Sequence, residues 1–160
     1  MSIEIERRFL LKNDEWKKEI QQSIKMQQGY MSVEKECTIR IRIINQNAWI
    51  TIKGFISNIS RHEFEYAIPV KDAQVMLNEL CAFSLEKTRH IIQKGDYTFE
   101  IDEYHGQNAP LVIAELELKD EKEQYPKPNW LGEEITADGR YSNAYLSRHP
   151  YSQWGRNSEQ

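Results

Sequence analysis

Apolar and polar residues alternate with a period of two along most of the chain. Ile3 and Ile5 interleave with Glu4 and Glu6, Ile39, Ile41 and Ile43 with Arg40 and Arg42, and Phe99 and Ile101 with Glu100 and Asp102. Side chains at i and i+2 of a strand share a face, so this rhythm predicts strands at about 3–11, 28–33, 36–44, 48–53, 61–69, 84–94, 97–104 and 111–119. Asn45-Gln46-Asn47 predicts a tight hairpin turn, because Asn tolerates the left-handed backbone that such turns require.

Helical spacing occurs in three places. Asn13 or Asp14 caps a short helix carrying Trp16, Ile20 and Ile24, which Gly29-Tyr30 then ends. Asp72 caps a second helix with Val75, Met76 and Leu80 on its buried side, and a third runs from Asp138 to about Ser147, before Pro150. The charged, proline-containing stretch 120–129 reads as a loop. No repeat and no linker divides the chain, so the expectation is one antiparallel α+β domain over residues 1–150 with a tail at 151–160.

Charge changes this picture most. Nearly every predicted strand carries charged residues two apart on its polar face: Glu4, Glu6 and Arg8; Arg40 and Arg42; Lys53; Glu63 and Glu65; Lys87 and Arg89; Glu100 and Asp102; Glu115, Glu117 and Lys119. A single such strand is best read as the wet face of an open sheet, where each ion pair contributes about 0.2–1 kcal/mol. A merely solvated face has no reason to exclude Ser, Thr, Asn and Gln so consistently, and a closed barrel with an ionic lumen explains the whole set better. Like charges crowded in such a lumen repel unless divalent cations face the acids and a polyanion faces the bases. Hard carboxylate oxygens favour Mg²⁺ or Mn²⁺, and the basic residues then read as a phosphate clamp.

Composition narrows the class. With 39% apolar residues in 160 the chain can bury a core, and a net charge of -4 argues against a nucleic-acid binder, which needs a basic surface. The first residues are charged, and no apolar run approaches the roughly 20 residues of a membrane span. Cys37 and Cys81 lie far apart without metal-ligand spacing, which suits reduced thiols. The expectation is a cytoplasmic protein without nucleic-acid or membrane partners. His62, His90, His105 and His149 are scattered and read as surface or supporting residues.

The segment Glu4 to Phe9 resembles the ExExK signature that opens CYTH domains, the triphosphate tunnel metalloenzymes. Thr38 to Arg42, Thr51 to Gly54, Arg61 to Tyr66, Glu86 to Arg89, Ala114 to Leu118, Trp130 to Thr136 and Tyr141 to Asn143 continue the likeness in the family's order, over about residues 3–148. The resemblance implies a closed tunnel of eight antiparallel strands with helices packed outside and a C-terminal plug helix at one mouth. It implies that Glu6 and Glu117 bind the metal gripping the phosphates, and that Glu4, Asp102 and Glu115 hold a second ion that activates water. Arg8, Arg40, Arg42, Lys53, Lys87 and Arg89 carry over as the triphosphate clamp, with Lys87 and Arg8 also in the catalytic set, and Glu63, Glu65 and Glu100 as supporting lumen acids. One departure stands out: Arg8 replaces the signature's lysine, a planar fork in place of a compact ammonium.

The activity implied is metal-dependent hydrolysis of inorganic triphosphate or a related triphosphate, with Mg²⁺ or Mn²⁺ as cofactor. Adenylate cyclase and thiamine triphosphatase chemistry on the same fold are the alternatives, and the latter needs an aromatic shelf such as Trp49 or Trp130. From another class, a non-catalytic polyphosphate or nucleotide-binding module would use the same clamp. The small-molecule triphosphate is the expected partner, and dimerisation through an exposed barrel face is left open.

Overall fold

In a computed structural model, which describes residues 2–155, alternation becomes nine strands: β1 (Ser2–Leu11), β2 (Gln22–Glu34), β3 (Cys37–Ile44), β4 (Asn47–Phe55), β5 (Ser60–Ile68), β6 (Phe83–Lys94), β7 (Tyr97–Tyr104), β8 (Val112–Leu118) and β9 (Leu131–Glu134). The sheet order is β5-β4-β3-β2-β6-β7-β8-β1-β9, and a further β1–β5 pairing closes eight strands into an antiparallel barrel. Strand β1 makes closure work by dividing one edge between two partners. Ser2 to Ile5 pair with β5 and Phe9 and Leu11 with β9, while Ile5 to Leu10 pair with β8 along the other edge. The expected eight-stranded barrel is therefore present, with the short β9 added. A Cβ at Gly132 would stand 2.6 Å from the Leu10 carbonyl oxygen, so glycine is what lets β9 approach β1.

The helices depart from expectation in instructive ways. The first is only a 3₁₀ turn, Glu15–Glu19, burying Trp16, and Ile24 already belongs to β2, where it faces Arg89 of β6. Strand β2 wins because it has ladder partners on both sides, β3 and β6, which a surface helix could not supply. Gly29 thus lies inside a strand; a Cβ there would meet Leu77 Cδ2 at 2.7 Å, so it makes room for the covering helix. That helix, α1 (Val70–Val75), starts directly after Pro69, two residues ahead of Asp72, and continues as a π-type turn through Met76–Leu80. The earlier start turns Ala73 and Leu77 inward and leaves Val75 and Leu80 exposed, while Met76 is only partly buried. The closing helix is broken in two. A 3₁₀ turn Gly139–Tyr141 is capped by Asp138, and α2 (Asn143–Arg148) is capped by Ser142, whose hydroxyl accepts from the Tyr145 amide. In the β3–β4 turn Asn45 adopts φ 55°, and Asn47 is already in β4, paired with Ile44.

Two cores lie outside the barrel. Phe9, Phe99, Leu116 and Leu118 pack with Trp16 and Trp130, and Ile41, Ile43 and Ala48 pack under Ala73 and Leu77. A third lies inside, because the inward-facing set changes character along the barrel axis: Arg8 gives way to Leu10, Lys87 to Leu85, Asp102 to Tyr104 and Glu115 to Ile113. Leu85, Tyr104 and Ile113 join Leu111, Ile135 and Leu146 of α2 in a buried cluster that closes this end. Of the expected tail, Tyr151 and Trp154 pack against that cluster, and residues 156–160 lie outside the described residues. No helix among the described residues is long and apolar enough to cross a membrane.

Candidate active site

The charged half of the lumen encloses a cavity of about 740 Å³. Glu4, Glu6 and Arg8 of β1, Arg40 and Arg42 of β3, Lys53 of β4, Glu63 and Glu65 of β5, Arg89 of β6, Glu100 of β7, and Glu115 and Glu117 of β8 all line it. The structure brings together every sequence-predicted site residue but two. Lys87 and Asp102 are wholly buried and do not line the cavity.

Those two form the foundation of the basic wall. Lys87 Nζ donates to Asp102 Oδ2 at 2.5 Å, and Arg89 grips both oxygens of Asp102 at 2.8 Å. Arg89 also reaches Glu115 at 3.0 Å and Glu100 at 3.4 Å. Asp102, expected among the ligands of a second ion, has both its oxygens engaged by these cations. Burial pulls the Lys87 ammonium down to about 7; Asp102 resists, and repulsion from Arg89 adds to the fall.

Arg42 and Arg40 are less fully neutralised. Arg42 Nε donates to Gln28 Oε1 at 3.0 Å, and burial, then Arg40 and Arg89, push its guanidinium down to about 9. Arg40 Nη2 lies 3.7 Å from Glu65 and is also linked to it through Thr51, at 3.2 and then 2.8 Å, while its Nε is buried with no hydrogen-bond partner. Lys53 donates to both Glu4 oxygens at 2.9 and 3.1 Å and lies 3.7 Å from Glu63.

The acidic wall repels itself in the same manner. Glu6 and Glu117 are direct cross-strand partners, and neither has an ion-pair or side-chain hydrogen-bond partner among the described residues. Burial, then Glu4 and Glu6, hold the Glu117 carboxyl above its ordinary range, and burial does the same for Glu100. Burial and Glu6 push Glu115 up too, but Arg89, Arg8 and Lys87 outweigh them and leave it below the usual carboxylate value.

Among the described residues no three Asp, Glu, His or Cys side chains are gathered closely enough to hold a metal by themselves. The donor set nevertheless fits a hard cation. Glu6 and Glu117 offer uncommitted oxygens at an open cavity, and Mg²⁺ characteristically takes one or two carboxylates and completes its shell with water and substrate phosphate.

Sequence reasoning missed several contributors. Thr51, Gln28, Tyr104 and Asn143 enter the network through cross-strand or long-range contacts, and Arg61 lines the cavity two residues before Glu63 on the same face. The i, i+2 rule alone could have found Arg61; Asn143 stood in the Tyr141 to Asn143 likeness, but no spacing pattern gave it a place in the site. Trp130 is buried in the outer core, edge-on to Phe99, so it offers no shelf in the lumen. Of the histidines, His149 lines the cavity stacked on Tyr145, and His90 and His105 bond strand neighbours.

A closed antiparallel barrel with an ion-lined lumen and a plugged end defines the tunnel class of β-barrel. The CYTH domain description matches residues 2–146, and the chain belongs to that family. An inorganic triphosphatase of Acetivibrio thermocellus is 41% identical over 152 residues, covering 94% of this chain and 97% of that protein. An inorganic triphosphatase of Nitrosomonas europaea is 30% identical over 149 residues, covering 90% and 96%. Among solved structures, an inorganic triphosphatase superposes with a TM-score of 0.65 at 28% identity over 92% of this chain and 95% of that one. A Pyrococcus horikoshii protein with a TM-score of 0.59 over 74% and 80% is 18% identical and shares the fold alone.

Proposed function

We propose that this chain is a divalent-cation-dependent triphosphatase acting on inorganic triphosphate, with Mg²⁺ or Mn²⁺ as the ion. The observation that carries the reading is a cluster of cations facing a cluster of acids across one cavity: Arg42 held down by burial and then by Arg40 and Arg89, and Glu117 held up by burial and then by Glu4 and Glu6. A polyanion on the first cluster and a cation on the second relieve both strains together. The names of the two relatives above support the same substrate.

On this reading Arg40, Arg42, Lys53 and Arg89 hold the phosphoryl oxygens. Glu63 and Glu65 orient Lys53 and Arg40 from the rim, and Glu100 orients Arg89. Asp102 and the buried Lys87 fix Arg89 from beneath. Glu6 and Glu117 would hold a divalent ion, which when bound supplies neutralisation of the developing phosphoryl charge and polarisation of the attacking water, and Glu4 would join them on release from Lys53. Water forms the new bond to the terminal phosphorus as the anhydride bond breaks and pyrophosphate leaves, its proton passing to solvent, while Glu115, held ionised by Arg89 and Arg8, keeps those two cations in place. Both cysteines are free, which suits a cytoplasmic site of action.

Phosphate release from tripolyphosphate with Mg²⁺ and with Mn²⁺, and its loss in EDTA, tests the proposal. Cyclic AMP with pyrophosphate from ATP would favour a cyclase instead, and tight tripolyphosphate binding without turnover would overturn the enzyme reading.

A further inference from the structure

Arg8 stands where the family signature has lysine, and its surroundings differ from those of Arg40 and Arg42. Its Nη1 donates to the Tyr141 carbonyl oxygen at 2.5 Å, its Nη2 to the Tyr104 hydroxyl at 3.4 Å, and its Nε faces Glu115 at 3.8 Å. Both terminal nitrogens of the guanidinium donate to protein oxygens, while Nε has the Glu115 carboxylate as its ion-pair partner but makes no hydrogen bond, and the residue is only 7% exposed.

The contacts run onward. The Tyr104 hydroxyl donates to Asn143 Oδ1 at 2.6 Å, and the same oxygen lies 3.5 Å from Lys87 Nζ, whose other partner is Asp102. Tyr141 ends the 3₁₀ turn and Asn143 opens α2, so both acceptors belong to the segment that plugs the barrel. The plug therefore touches the two deepest cations, Arg8 through a backbone carbonyl and Lys87 through a carboxamide.

We infer that Arg8 is a positioning residue that latches the plug segment 139–148 to the barrel and, through Tyr104 and Asn143, sets Lys87 and Asp102 beneath the phosphate clamp, without itself gripping phosphate. Only a fork can serve this role. Lysine presents all its donors from one nitrogen and cannot span the Tyr141 carbonyl, the Tyr104 hydroxyl and Glu115 together. The catalytic half of the inference rests on the triphosphatase reading; the latch itself does not.

The test compares Arg8→Lys, Arg8→Met and Asn143→Leu by hydrogen exchange of the unliganded protein and by steady-state kinetics with tripolyphosphate. With Arg8→Lys, amides of 142–149 exchange at least about threefold faster, because the plug opens more often. In the same variant kcat falls at least about fivefold while KM moves less than about twofold, as expected for a group that acts only by placing others. Asn143→Leu reproduces the fall in kcat with KM preserved. Unchanged exchange in Arg8→Lys overturns the inference, whatever the kinetics. A KM raised about tenfold in Arg8→Met and restored in Arg8→Lys also overturns it, since that is the behaviour of a phosphate ligand. Because Arg8→Lys keeps the charge, it remains informative should Arg8→Met not fold. If the wild-type chain turns over no triphosphate, the triphosphatase reading fails while exchange still decides the latch.

Discussion

Glu115 and Ile113 lie two residues apart on one face of β8, both buried inside the same barrel, yet they belong to different regimes. Around Glu115 stand Arg89, Arg8 and the acidic wall; Ile113 packs with Tyr104, Leu111 and Leu146. The apolar end gains free energy by leaving water and holds the barrel closed. The ionic end loses solvation on folding and recovers it only in part through ion pairs, so a ligand has something to add there. One strand pattern thus builds a stability region and a binding region within a few residues of each other.

The largest expected effect cuts activity alone. The double variant Glu6→Gln, Glu117→Gln should lower phosphate release from tripolyphosphate by about 1,000-fold, roughly 4 kcal/mol, while its melting temperature stays or rises because two facing acids are gone. A fall in melting temperature would mean that the ionic end is also a stability region. Next comes the boundary: Asp102→Asn leaves Lys87 and Arg89 buried against a neutral group and should cost about 3–5 kcal/mol in denaturant unfolding as well as activity. At the apolar end, Ile113→Ala should cost about 2–4 kcal/mol of stability and change kcat little at temperatures well below unfolding. A large loss of kcat at full stability would dissolve the distinction.

The smallest effect is in pH. Glu117 sits above its ordinary value through burial and through Glu4 and Glu6, so on acidification it protonates, and stops ligating, at a higher pH than an exposed carboxylate. Mn²⁺ affinity should therefore weaken at a pH above the ordinary glutamate range of about 4, and Glu4→Gln should move that transition downward. A transition at the exposed-carboxylate value in both proteins would remove the repulsion on which the comparison depends.

Much of the barrel was legible from alternation because each strand carries its own evidence: charges on one face, Ile, Phe and Leu on the other. Strands β6 and β7 lie within a residue of the predicted spans. Strand β2 was half hidden, since Trp16, Ile20 and Ile24 also fit a helix and only its two neighbours decide between the readings. The four residues of β9 are too few for any period to show. In the site, the lining residues were readable from i, i+2 spacing, whereas the division of Asp102 and Lys87 from the cavity was not. Both sit on the same faces as Arg89 and Glu100 and differ only in what packs over them.

The sequence by itself determined which side chains face inward, because a strand offers two faces and the chain writes charge on one of them. Only the tertiary structure decided how deep each lies and which partner it meets: that Asp102 holds two cations, that Glu6 faces Glu117, and that Tyr141 and Asn143 return from the far end of the chain to Arg8 and Lys87. Depth and partnership depend on barrel closure and on where the plug lands, and both are set by contacts between residues up to 133 positions apart. No local pattern encodes them.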